Sequence, residues 1–115
     1  MNDLSGVWSG SFTYRMIYQE TPFTARIDVR EGVIGGTVSE VLQTEYGFTP
    51  DGVVAGIAGT VEGDRVRFTK SYPPGIQLYD MVDYEGVLSA DGQSISGIWR
   101  TKLWSGAFSM RRSEG

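Results

Sequence analysis

Between Tyr84 and Met110, rings and glycines recur with a period of two, a pattern that restricts this part of the chain to a strongly curved antiparallel sheet. One phase carries Tyr84, Gly86 and Leu88, then Ile95, Gly97 and Trp99, then Trp104, Gly106, Phe108 and Met110. The other phase is smaller or more polar, as in a sheet with one buried face. Ala90-Asp91-Gly92-Gln93 is a turn signal between the first two runs. Setting Leu88 opposite Ile95 puts Gly86 opposite Gly97 and Tyr84 opposite Trp99. The next reversal puts Trp99 opposite Gly106 and Gly97 opposite Phe108. Rings facing glycines across strands leave room for aromatics on a concave surface.

The same alternation runs through the rest of the chain. Residues 4–19 are the longest run, with Trp8, Gly10, Phe12, Tyr14, Met16 and Tyr18 in one phase. A corner at Glu20-Thr21-Pro22 leads to Phe23, Ala25, Ile27 and Val29. Glu31-Gly32 then turns the chain into Ile34, Gly36, Val38, Glu40 and Leu42. Residues 43–53, rich in breakers, form the one long connection, and a loop of that length in a small β domain commonly serves a site. Ala55, Ile57, Gly59 and Val61 follow, then, past Glu62-Gly63-Asp64, Val66, Phe68, Lys70 and Tyr72. Tyr72-Pro73-Pro74-Gly75 is a stiff connection, after which Leu78, Asp80, Val82 and Tyr84 share a phase. Sixteen glycines and scarcely any window of helical period make the chain all-β. Eight strands in sequential order predict one domain over residues 1–115, an antiparallel up-and-down barrel whose last strand pairs with its first.

The absence of cysteine and histidine excludes disulfides, Cys/His zinc sites and histidine-based nucleophilic pairs. A net charge of -4 argues against nucleic acid as a partner, because phosphate recognition needs a basic surface. No apolar run reaches the length of a membrane span and no leader-like segment opens the chain, so a cytoplasmic protein without membrane partner is expected. No metal site and no cofactor is readable, since the inward carboxylates are few and scattered over distant strands.

Gly6-Val7-Trp8 at the start of the first strand, sequential hairpins and a terminal strand ending in Arg111-Arg112 resemble the calycin group of barrels. In the lipocalins of that group a Gly-x-Trp opens the first strand and a basic residue near the chain end packs over the tryptophan. That resemblance makes Arg112 the candidate for covering Trp8. The short length and the lack of a C-terminal helix look more like the streptavidin/avidin branch. The biotin-holding residues of avidins do not align here, so biotin is not implied.

The inward residues also sort by depth. Trp8, Val29, Ile34, Val61, Val66, Leu88, Ile95 and Met110 fall at the end closed by short turns. Tyr18, Phe23, Glu40, Lys70, Tyr72, Asp80, Trp99 and Trp104 fall at the end with the proline-containing connections and the long loop. If residues 72–78 make one hairpin, Lys70 faces Asp80, and Glu40 joins them across the lumen. Aromatics with a few convergent polar groups suit one small ligand in a barrel of this size. The leading expectation is a binding barrel for a hydrophobic or amphipathic metabolite, held by Tyr18, Glu40, Lys70, Tyr72, Asp80, Tyr84, Trp99 and Trp104. An isomerase, cyclase or lyase using Glu40 or Asp80 with Lys70 is the enzymatic alternative. A third reading is an interaction protein with a filled barrel. Outward Val7, Ile17, Tyr79, Met81, Val87 and Ile98 would then mediate a homodimer or tetramer.

Overall fold

Two-residue turns set the pairing of the first half of the sheet. Glu31 and Gly32 both take positive φ, 52° and 78°, the combination that matches the twist of a two-residue hairpin. Gly63 supplies φ 64° at the next such turn. The computed structural model describes residues 4–14, 17–40, 43–44, 47–48, 53–72, 81–102 and 104–113. Its strands are β1 (Gly6–Tyr14), β2 (Ile17–Arg30), β3 (Val33–Glu40), β4 (Gln43–Thr44), β5 (Gly47–Phe48), β6 (Val53–Glu62), β7 (Arg65–Ser71), β8 (Met81–Leu88), β9 (Ser94–Arg100) and β10 (Ser105–Arg112). Eight of them close a barrel in the order β1-β10-β9-β8-β7-β6-β3-β2, and β4 and β5 form a separate two-stranded ribbon within the long connection. Every pairing is antiparallel, as the meander reading requires. The described residues contain no helix, and so none that could cross a membrane.

The ring and glycine register holds at each expected position. Leu88 faces Ile95, Gly86 faces Gly97 and Tyr84 faces Trp99. Trp99 faces Gly106 and Gly97 faces Phe108 across the next pair. Ile27 faces Gly36, and Gly59 faces Phe68. Most of the inward phase is buried, from Trp8, Ile34, Val66, Leu88, Ile95 and Met110 at the short-turn end to a stack of rings nearer the loops, while Val29 and Val61 are partly buried. Phe68 and Tyr84 lie parallel with centroids 4.8 Å apart, and Phe108 meets Tyr84 edge-on at 5.0 Å. Such pairs contribute about 0.5–1.5 kcal/mol each beyond the area they bury.

The first strand is shorter than its alternation suggests. Tyr14 pairs with Ile17, so the chain reverses there and not at residues 20–22, and Pro22 sits within β2 opposite Ser11. The pairing shifts between Phe12 and Tyr14, and a proline is tolerated beside such an irregularity because a ladder bond is already missing. The earlier reversal brings Phe23 onto Gly10. The Phe23 ring fills the place a side chain on Gly10 would occupy. Tyr18 consequently belongs to β2, and its side chain lies outside the described residues.

At the short-turn end the start of β1 and the end of β10 are tied together. The guanidinium of Arg112 lies over the Trp8 ring, 4.8 Å from its centroid, as the lipocalin-like pattern implies. Arg112 also donates to the Ser5 carbonyl at 3.1 Å and the Gly92 carbonyl at 3.2 Å, while Trp8 Nε1 donates to the Leu4 carbonyl at 2.9 Å. One side chain thus joins the start of β1, the β8–β9 turn and the end of β10. Arg112→Ala is expected to cost about 2 kcal/mol in urea unfolding, from the lost cation-π contact and two charge-assisted bonds. Arg112→Lys should recover only part of this, because an ammonium cannot reproduce the planar fork.

Candidate functional site

The loop-bearing end of the lumen holds the charged residues that are buried among those described, Glu40 and Lys70. Glu40 is the last residue of β3 and Lys70 the penultimate residue of β7, with β6 between the two strands. Tyr72 follows Lys70 by two positions and is also buried. Lys70 Nζ donates to Glu40 Oε2 at 3.0 Å, and the two side chains are 1% and 0% exposed. Tyr72 Oη donates to the other carboxylate oxygen, Oε1. No described buried side-chain polar atom lacks a partner.

Three rings surround the ammonium. Lys70 Nζ lies 4.8 Å from the Phe12 centroid, 4.6 Å from that of Tyr72 and 5.2 Å from that of Tyr84. Their electron-rich faces offset part of the cost of withdrawing a cation from water. Burial remains the larger influence and lowers the Lys70 pKa from 10.5, while the charge and hydrogen bond of Glu40 pull it back upward. Between that depressed value and 10.5 the unfolded chain binds a proton that the native protein does not, so stability rises with pH across this window. The stability of wild type relative to Lys70→Met should therefore improve as pH is raised toward 10.5 in urea titrations. A pH-independent difference would show that the ammonium is not depressed.

The expected partner of Lys70 is corrected. Lys70 pairs with Val82, not Asp80, and its carboxylate is Glu40. The observed register joins Arg67 to Glu85 at 3.2 Å, Thr69 to Asp83 at 2.9 Å and Phe68 to Tyr84 in a stack. A register two residues away would have separated all three pairs. Asp80 itself lies outside the described residues, as does Tyr79.

Glu40, Lys70, Tyr72 and Tyr84 are thus brought together, and Trp99 is buried nearby, 6.0 Å from Phe12 and edge-on to it. Trp99 Nε1 donates to the Thr13 carbonyl at 2.9 Å. Trp104 does not join the buried set. It precedes β10, is 47% exposed, and is held in a tight turn in which its amide donates to Thr101 Oγ1 and its carbonyl accepts from the Thr101 amide. Phe12 is the member that sequence reading left out of the site. Its inward phase was visible, but its proximity to Lys70 depends on where β1 ends and on how far the barrel's strands are staggered.

The outer wall is partly apolar. Met81, Val87 and Ile98 are exposed, whereas Val7 is half-buried and the Ile17 side chain lies outside the described residues. Charges interrupt the patch, because Ile98 pairs with Glu85 and Val87 with Arg65, and Glu85 bridges to both Arg67 and Arg100. A groove of about 360 Å³ on this wall is lined by residues including Thr60, Arg67, Asp83 and Arg100. No group of acidic residues able to hold a metal ion occurs among the described residues. Comparison with models of known protein families and with curated proteins finds no match to this chain.

Proposed function

We propose that this protein is a calycin-like binding barrel that takes one small hydrophobic or amphipathic molecule at its loop-bearing end, against Glu40, Lys70 and Tyr72. The observation that carries the reading is the fully buried Glu40-Lys70 pair beneath the rings of Phe12, Tyr72 and Tyr84. A buried ion pair seldom adds stability over apolar residues of the same volume, because desolvation offsets the attraction. Its presence in an otherwise apolar interior is better explained by a ligand than by folding. Convergent polar groups on an apolar lining are what orient small molecules in such sites. The Arg112-Trp8 contact supports the calycin resemblance, and lipocalins and streptavidin hold single ligands in barrels of this strand number.

Native mass spectrometry of protein purified from its own cell extract should show a bound species, and adding that species should change Trp99 emission saturably. Lys70→Met should weaken the response at least about tenfold, the equivalent of one lost charge-assisted contact of about 1.4 kcal/mol or more. A preparation with no bound species, together with unchanged emission across a library of apolar and amphipathic metabolites, would refute the proposal.

A further inference from the structure

We propose that Lys70 is a reactive amine that condenses with a neutral carbonyl compound, an apolar aldehyde above all, to give an imine held against Glu40. This rests on the ligand site being at the loop-bearing end and names the chemistry of what enters it. Three observations support it independently of one another.

The first is the choice of cation. The chain uses arginine eight times and lysine only twice, at Lys70 and Lys102. Arginine is the better residue for a permanent buried pair with a carboxylate, since its planar fork satisfies both oxygens and it never loses its charge. Here an amine occupies that position, and the second carboxylate oxygen is taken by the Tyr72 hydroxyl. An amine differs from guanidinium in that it can become a nucleophile.

The second is charge. Glu40 and Lys70 neutralise each other, so an anionic ligand would have to displace Glu40 and a cationic one would have to displace Lys70. A neutral electrophile disturbs neither. The third is the surroundings of Nζ. Among the described residues, the titratable groups facing it are Glu40 on β3, Tyr72 beside the end of β7 and Tyr84 on β8, and the remaining close ring is Phe12. Water-poor, aromatic surroundings favour the imine, because hydrolysis needs water at the same carbon. Burial lowers the pKa of Lys70, which raises the fraction of neutral amine.

The step balances without any oxidant or reductant. Lys70 passes a proton to Glu40, and the free Nζ pair attacks the carbonyl carbon while the C=O π pair moves to oxygen, which takes a proton. The carbinolamine then loses its oxygen as water, carrying away two of the three hydrogens of the original ammonium. The C=N bond replaces C=O, the product nitrogen keeps one proton and the positive charge, and Glu40 ends as the carboxylate facing it. Tyr72 keeps its hydrogen bond to Glu40 throughout and so holds the carboxylate in place.

Cyanoborohydride trapping with benzaldehyde, hexanal or cinnamaldehyde, followed by peptide mapping, tests this on the full chain. Only Lys70, Lys102 and the amino terminus can react. The expected result is reduced adduct on Lys70 at least about tenfold faster than on exposed Lys102, a preference abolished in guanidinium. Lys102→Arg, which leaves the lumen untouched, should retain the Lys70 adduct. Glu40→Gln should slow its formation, provided near-ultraviolet circular dichroism shows the barrel intact. Adducts confined to Lys102 and the amino terminus overturn the imine. If the matching alcohols still perturb Trp99 emission in that case, the site stands as a noncovalent one; if neither aldehydes nor alcohols do, the site reading loses its support as well.

Discussion

Glu40→Ala is expected to lower the unfolding free energy by about 3–5 kcal/mol, because it leaves the Lys70 ammonium buried without a counter-charge. The Tyr72 hydroxyl loses its bond to the carboxylate in the same step. Domains of this size commonly have only about 5–15 kcal/mol in total, so the variant should be partly unfolded at moderate temperature. Lys70→Ala should cost a similar amount, since it strands the carboxylate and opens a cavity among Phe12, Tyr72 and Tyr84. The double replacement Glu40→Leu with Lys70→Met should come within about 2 kcal/mol of wild type, as apolar isosteres of buried pairs usually do. Urea unfolding of the two single variants and the double one gives the coupling directly. Additive losses would mean that the two groups do not depend on each other, and the reason for regarding the pair as functional would disappear. A double variant that folds well but no longer binds would separate the two roles of the cluster.

How much of this site could be read from the chain depends on which physical rule governs each part. Parity is local, so the inward phases of β3, β7, β8, β9 and β10 followed from alternation alone, and Glu40, Lys70, Tyr72, Tyr84 and Trp99 all proved buried. Ring and glycine pairs fixed the registers of β8, β9 and β10, because a glycine opposite a large ring, as Gly106 is to Trp99, leaves the ring the space a β-carbon would take. The register between β7 and β8 was less accessible. The connection between these strands carries no two-residue turn signal, and a slip of two residues preserves every inward position. What decides it is the summed preference of Arg67-Glu85, Thr69-Asp83 and Phe68-Tyr84. The reversal between Tyr14 and Ile17 was obscured because the alternation continues through it, while Pro22 offered a more conspicuous but incorrect corner. The Glu40-Lys70 contact itself joins strands that are not neighbours. No pairwise register predicts it; the expectation that Glu40 reaches Lys70 across the lumen rests on closing the barrel.

Gly106→Ala is the second large effect, and it tests closure itself. A β-carbon on Gly106 would stand 1.7 Å from the Thr13 carbonyl oxygen and 2.6 Å from Trp99 Nε1. That carbonyl is the acceptor of the 2.9 Å hydrogen bond from Trp99, so the added methyl attacks both members of the contact. Backbone cannot rotate away as a side chain can, and the strain must be relieved by separating β10 from β1, where Thr13 pairs with Ala107 and Tyr14 with Gly106. These are the strands that close the sheet, and moving them would also shift Phe12 against Lys70. A loss of about 3 kcal/mol is expected in thermal or urea unfolding, at the upper end for an overpacked site. A change in Trp99 emission should accompany it as the indole loses its acceptor. Gly35→Ala is the matched control: its added carbon meets nothing within 4 Å, and the substitution should stabilise the strand by about 0.5–1 kcal/mol through reduced freedom of the unfolded chain. Opposite signs for the two alanines would show that the glycines facing rings are required by the curvature, and not by a general tolerance for small residues. Equal and mild effects would mean that the β1–β10 seam gives way easily, and a lumen bounded by so loose a seam could not hold Lys70 and Glu40 dry.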